Sequence, residues 1–318
     1  MSPDIAELLD ALVTRPSALE PLESVEGWWQ AHLECAPEDL DPAHRAALGG
    51  FVCDRLGYAF AAGYTEAMRR VGNPPEPLPL RRRALCATEV GGGHPRAIET
   101  SLEPLTGTDE GRFRLSGTKT FVTLGEHAEE LVVIASLGRE AGLPRLVAVR
   151  VPAGTPGLEL VTLPPTPFVP EIPHARAELD GVLVEASNLL AGDGYIEVLK
   201  PFRTVEDTHV FLAALGWLTR VGREANWPAA TIERGLAAIA ALVPLARSQV
   251  PLSPGLHRAL GGALAQARAH IQALRAEDAW DHVSEEVLMC WMRDQPLLSI
   301  ASKVRARRLE RARSTVRA

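Results

Sequence analysis

The texture of the chain changes twice, and those two changes limit the folds open to it more than any single motif does. Residues 84–190 are built of short apolar runs, such as 131–135 and 146–151, divided by turns like Ala141-Gly142 and Thr155-Pro156-Gly157. Runs of that length bounded by Gly and Pro read as strands. On both sides the apolar spacing is helical. Ser2-Pro3-Asp4 reads as an N-cap with proline at the first helical position, ahead of Ile5, Leu8, Leu9 and Leu12. A longer pattern over 42–70 places Leu48, Phe51, Val52, Leu56, Phe60, Tyr64 and Met68 on one face. Helical spacing returns with Ile232, Leu236, Ile239 and Leu242, then in a segment opened by Ser253-Pro254, and last in a helix begun by Pro296.

The expectation is an α+β fold in three parts: an N-terminal helical domain (1–83), a central β-barrel or sandwich domain (84–190) and a C-terminal helical domain (191–318). The span 163–173 holds five prolines, which cannot supply a regular ladder, so it is expected as loop or edge lining a cleft.

With 46% hydrophobic and 23% charged residues, the 318-residue chain can bury a sizeable core. The net charge of -7 includes no block that calls for a nucleic-acid or membrane partner. Lys303, Arg305, Arg307, Arg308, Arg311 and Arg313 in the last helix suit either an anionic partner or, the plainer reading, a solvated basic helix end. No run approaches the roughly 20 apolar residues of a membrane span, and Asp4 and Glu7 stand where a leader would be basic, so a cytoplasmic protein without membrane insertion is expected. Cys35, Cys53, Cys86 and Cys290 are far apart and read as buried thiols, while His174, His209 and His282 have no partner at metal-ligand spacing. A Gly-x-Ser-x-Gly elbow and a Walker loop are both absent. Trp28 and Trp29 mark either a ligand cleft or, the plainer account, a helix packed on the core.

Four ordered strings carry a family likeness. Cys86-Ala87-Thr88-Glu89-Val90-Gly91-Gly92-Gly93-His94 resembles the Thr-Glu-Pro-Gly-x-Gly-Ser loop of acyl-CoA dehydrogenases, and Leu115-Ser116-Gly117-Thr118-Lys119-Thr120-Phe121-Val122-Thr123 resembles that family's Gly-x-Lys-x-Trp-Ile-Thr string. Residues 152–158 and 182–192 are similar to the segments that follow. The likeness is closest over 85–222. It implies an FAD-dependent oxidoreductase of fatty acid metabolism acting on acyl-CoA or an acyl-carrier thioester: a carboxylate takes the α proton while flavin takes the β hydrogen as hydride.

By resemblance, Thr88 and Thr123 would hydrogen-bond the flavin, Phe121 and Val122 would lie beside it, and Gly91, Gly93 and His94 would approach its pyrophosphate. Three residues depart from the family pattern: Val90 replaces proline, His94 replaces serine and Pro95, which lacks an N–H, replaces an acid.

Most members carry the base near the C-terminus, after a Gln-x-x-Gly-Gly-x-Gly string; neither is present in this sequence, which reads as a shortened member. A minority place it in Glu-Arg-x-x-x-Ala-Ala-x-x-x-Gly, and here Glu206 stands in the same relation to Ala213, Ala214 and Gly216, with Asp207 in place of the arginine. Glu206 is thus the base the resemblance implies. Thr204-Val205-Glu206-Asp207 also suits a helix N-terminus, where acids complement the helix dipole. Arg247-Ser248-Gln249 weakly resembles a string that contacts flavin across a dimer. The resemblance implies a homodimer or homotetramer. Two other readings stand beside the dehydrogenase: a non-redox binding or assembly subunit, in a hetero-oligomer with a complete dehydrogenase, and an FAD-free acyl-thioester enzyme that keeps Glu206.

Overall fold

The computed structural model describes residues 4–276 and 278–315. Its first helices are α1 (Ile5–Thr14), α2 (Val25–Glu34), α3 (Pro42–Phe51) and α4 (Leu56–Met68). Asp4 caps α1 by accepting the Ala6 N–H; the cap read at Ser2 and Pro3 lies outside the described residues. The single helical pattern over 42–70 is two helices. The chain turns at 52–55, where the Asp54 carboxylate accepts the Leu22 N–H at 2.9 Å and pairs with Arg55 at 2.7 Å. Trp28 and Trp29 are core residues, Trp28 lying parallel to Tyr58. Under them Glu66, sealed from solvent, receives His32 at 2.9 Å, Arg45 at 2.8 Å and Arg69 at 3.0 Å, so the buried charge is fully paired.

Seven strands form one sheet: β1 (Arg83–Cys86), β2 (Ser101–Pro104), β3 (Arg112–Thr123), β4 (Glu130–Glu140), β5 (Leu143–Pro152), β6 (Leu158–Thr162) and β7 (His174–Glu185). The order is β1-β4-β2-β3-β7-β6, with β5 added on β4. Ala175, Ala177, Leu179, Val182 and Val184 of β7 point inward onto Leu115 and Val122 of β3. The proline-rich span between β6 and β7 contributes no strand.

A π-helical turn, Gly194–Leu199, runs directly into the long helix α5 (Lys200–Glu224). Asp193 caps that turn by accepting the Tyr195 and Ile196 N–H groups. α5 lies against α3 and α4 so closely that a Cβ on Gly216 would run into the Ala47 carbonyl, and one on Gly50 into that of Ala213. Then follow α6 (Ala229–Ala246), α7 (Pro254–Ala276), α8 (Glu285–Asp294) and α9 (Ser302–Ser314). α6 is long and apolar enough by composition to cross a membrane; here it packs between α5 and α7. The last helix does not begin at Pro296: 295–299 is a 3-10 turn, and α9 starts at Ser302. Nor is its basic face wholly solvated, because Arg305 and Arg308 turn inward onto Asp207 at 3.0 and 3.3 Å.

Candidate functional site

The loop after β1 is held by a carboxylate. Glu89 accepts the Glu99 N–H at 2.7 Å, the Thr100 N–H at 3.1 Å and hydroxyl at 2.7 Å, and Lys119 Nζ at 2.5 Å. Burial alone would raise its pKa, but these donors bring it below the usual carboxylate range. The loop is thereby fixed to the middle of β3. Its turn is closed by reciprocal backbone bonds between Glu89 and Gly92, and it is Gly92, at φ +96°, that requires glycine. A Cβ on Gly91 would make an ordinary contact with Ala97, whereas one on Gly93 would press on the Thr88 hydroxyl. The His94 Nδ1 accepts the Arg96 N–H at 3.2 Å, which leaves the ring proton on Nε2.

Past Lys119 the β3–β7 register slips, and Phe121 sits at φ +59°. A bulge with a positive φ at a bulky residue is strained, and it re-aims the side chain. Phe121 is turned outward, 56% exposed, with its ring edge-on to His174. The Val122 side chain is wholly within the β-core, so only its backbone could meet a ligand. Thr123, paired with His174 in the ladder, stands beside the buried Tyr64 hydroxyl, which accepts the Leu85 N–H at 2.8 Å.

Across from this strand end lies Glu206. Because the helix starts well before residue 204, Glu206 is in its second turn and outside the reach of the N-terminal dipole; the helix-start account does not apply. The carboxyl is half-buried. Burial first, then the adjacent Asp207 charge, push it up to about 7, while Arg308 and Arg203 hold it back. Asp207 does not face solvent: it is buried in its pair with Arg305 and Arg308.

Glu206 lines two adjoining spaces. One is a cavity of about 410 Å³ walled by Phe60, Phe121, Phe168, Val210 and Phe211, with His174 and the proline-rich span at its rim and Leu298 and Ile300 opposite. That span does line a cleft. The other is a cleft of about 760 Å³ bounded by Gly93, His94 and Pro95 on one side and by the start of α5 and the inner face of α9 on the other. Its cations are Lys200, Arg203, Arg307, Arg308 and Arg311. Arg203 also donates to the Gly93 carbonyl at 3.2 Å, linking α5 to the loop.

The structure therefore brings Phe121 and Glu206 to the apolar cavity and Gly93, His94 and Glu206 to the basic cleft. Thr88 and Thr123 lie on the β-domain side, and Gly91 is exposed at the turn. Arg247 is engaged within the chain, 3.6 Å from Asp41. Sequence reasoning named His174, Tyr64 and the arginines of α9 without placing them at the site, because their relation to it arises only from contacts distant in the chain. Among the described residues there is no group of three or more His, Cys, Asp or Glu able to hold a metal ion. The residues present fit a flavin dinucleotide: the outward Phe121 ring and Thr123 would hold its ring system, and the basic cleft beside Gly93, with its cations and the His94 Nε2–H, would hold its diphosphate.

No protein-family model and no curated protein sequence matches the chain. Solved structures do. Butyryl-CoA dehydrogenase from Megasphaera elsdenii is 17% identical with a TM-score of 0.63, over 97% of this chain and 88% of that one. The prolyl acyl carrier protein oxidase AnaB is 16% identical with a TM-score of 0.65, over 96% and 97%. PigA in its FAD complex is 15% identical with a TM-score of 0.63, over 100% and 99%. At these identities the likeness establishes architecture: the chain has the acyl-CoA dehydrogenase fold.

Proposed function

We propose that this chain, built on the acyl-CoA dehydrogenase fold, is a flavoprotein that removes the α proton of an acyl thioester with Glu206. The observation that carries the reading is the place of Glu206, a carboxyl raised to about 7 at the junction of an aromatic-lined apolar cavity and a basic cleft. A general base is most effective when its pKa lies near the working pH, and ordinary exposed carboxylates fall well below it.

The chain's own residues supply the rest. Phe60, Phe168, Val210 and Phe211 give the acyl group an apolar lodging and exclude water from the carboxylate. Asp207, fixed by Arg305 and Arg308, keeps Glu206 from losing its proton early and is held too tightly to compete for the substrate. The α proton passes to a Glu206 carboxylate oxygen. Burial keeps His174, at the rim, neutral near pH 7, so it adds no second positive charge to the cavity. The chemistry a flavin supplies when bound is acceptance of the β hydrogen as hydride, which completes the α,β double bond. The carrier, coenzyme A or a carrier protein, and a homodimeric or homotetrameric assembly belong to the same proposal.

The test is the visible absorption spectrum of the purified protein after incubation with FAD and removal of the excess. A retained oxidised-flavin band is expected. A protein that stays colourless contradicts the flavoprotein reading.

A further inference from the structure

A third cavity, of about 220 Å³, lies on another face of α9, between that helix and α7. At one end Gly261 of α7 comes so close to α9 that a Cβ there would press on Leu309, with Leu260 and Leu264 beside it. About two turns along α7 stands Arg268, within charge range of Arg305. Three guanidiniums line the space, those of Arg268, Arg305 and Arg308, against one carboxylate, Asp207. Burial holds His257, also in the lining, below the usual histidine range, so the arginines carry the positive charge.

Arg305 and Arg308 are already bonded to Asp207. Arg268 forms no ion pair among the described residues: its guanidinium rests over the Phe211 ring at 5.8 Å, and its Nη2 is buried without an acceptor. A buried donor left unsatisfied is costly and rare in folded proteins, and a missing ligand is one account of it.

We infer that this cavity binds a small monocarboxylate with an apolar tail, its carboxylate on Arg268 and its tail along Leu260, Leu264 and Leu309. A guanidinium and a carboxylate pair as planar forks, and an anion without a tail would leave the leucines uncovered. The size is suitable, since an apolar cavity of about 150 Å³ already holds benzene. The inference goes beyond the dehydrogenase reading and stands without a flavin. Asp207 and Arg305 also line the Glu206 cavity, and Phe211 is part of its wall, so a bound acid would sit behind the candidate base.

The experiment titrates the full chain with sodium hexanoate by calorimetry at fixed ionic strength, with 1-hexanol and sodium sulfate as separate titrants. Hexanoate is expected to bind at one site, at least about tenfold tighter than either comparator, and to raise the melting temperature. Arg268→Gln breaks no hydrogen bond among the described residues, so it should stay folded, and it should weaken hexanoate at least about tenfold. Ala306→Leu, at an exposed position that lines this cavity, fills the space without touching a charge and should abolish binding. Arg258→Gln, on α7 but outside the cavity, should leave the affinity unchanged and so controls for net charge. Absent hexanoate binding, or hexanol or sulfate binding as tightly, overturns the inference. Hexanoate binding that survives both Arg268→Gln and Ala306→Leu places the acid elsewhere and overturns it too.

Discussion

Lys119 and Glu89 meet across 30 residues of sequence in an ion pair of 2.5 Å, with Lys119 wholly buried. The pair joins the two strings that most resemble a dehydrogenase, and it explains their spacing in structural terms. Glu89 gathers the 89–100 loop onto its carboxylate, and Lys119 fixes that carboxylate to the strand from which Phe121 is turned outward. The loop and the bulge are therefore set relative to each other by one contact.

Lys119→Met should lower stability by about 3 kcal/mol, the low end of the range for stranding one partner of a buried pair, because Glu89 keeps its three other donors. Thermal unfolding checks this, and adding Glu89→Gln to Lys119→Met should recover part of the loss. A Lys119→Met protein as stable as the parent would show that the pair does not hold the loop.

Glu206 predicts a pH dependence of the opposite sign to an ordinary paired carboxylate. Its folded pKa, about 7, lies above the 4.5 of an unperturbed glutamate, so the folded state binds the extra proton between those values. Stability is fully present below about pH 4.5 and is lost as pH rises toward 7, by an amount on the order of 3 kcal/mol. Glu206→Gln should accordingly match the parent at pH 4.5 and exceed it in melting temperature at pH 8. Equal melting temperatures at pH 8 would mean that Glu206 is not raised.

Glu66 runs the other way. Burial raises it, but His32, Arg45 and Arg69 outweigh that and hold it at about 2 against an unfolded value of 4.5. Stability it contributes is present above pH 4.5 and disappears as pH falls through about 2. Unfolding curves of Glu66→Gln should therefore be lower than the parent's at pH 7 and converge with them near pH 2.

Much of the fold was readable because its signals are local. The Gly and Pro turns of the β-region, the Ser253-Pro254 start of α7 and the Trp28-Trp29 core helix each depend on neighbours in sequence. The break at 52–55 was not, because it depends on Asp54 reaching back to Leu22. Glu206 was placed by motif, yet its helix was begun too late, since the cap is Asp193 and a π-helical turn intervenes. What makes Glu206 chemically interesting, the Asp207–Arg305–Arg308 cluster, joins residues about a hundred positions apart, and no periodicity in the chain announces it.

Phe121→Gly should separate stability from binding. Glycine adopts φ +59° without the strain a phenylalanine carries there, about 1 kcal/mol, and the ring is mostly exposed, so melting temperature should hold or rise. Flavin retention, measured by absorbance after gel filtration, should fall. A variant that loses stability while retaining flavin would mark Phe121 as a packing residue.

Asp207→Asn should shift the base. It removes the charge that raises Glu206 and frees Arg305 and Arg308 to act on it, and both changes lower its pKa. The pH profile of α-proton exchange from an acyl thioester into deuterated water should move its midpoint below the parent's value near 7. An unmoved midpoint would assign the titration to another group.

The most direct measurement is anaerobic mixing of the FAD-loaded protein with acyl thioesters of graded chain length, followed at the oxidised-flavin band, for the parent and for Glu206→Gln. The account predicts bleaching in the parent and none in the variant, with both proteins holding the same amount of flavin. Equal bleaching in the two would contradict the assignment of Glu206 as the base.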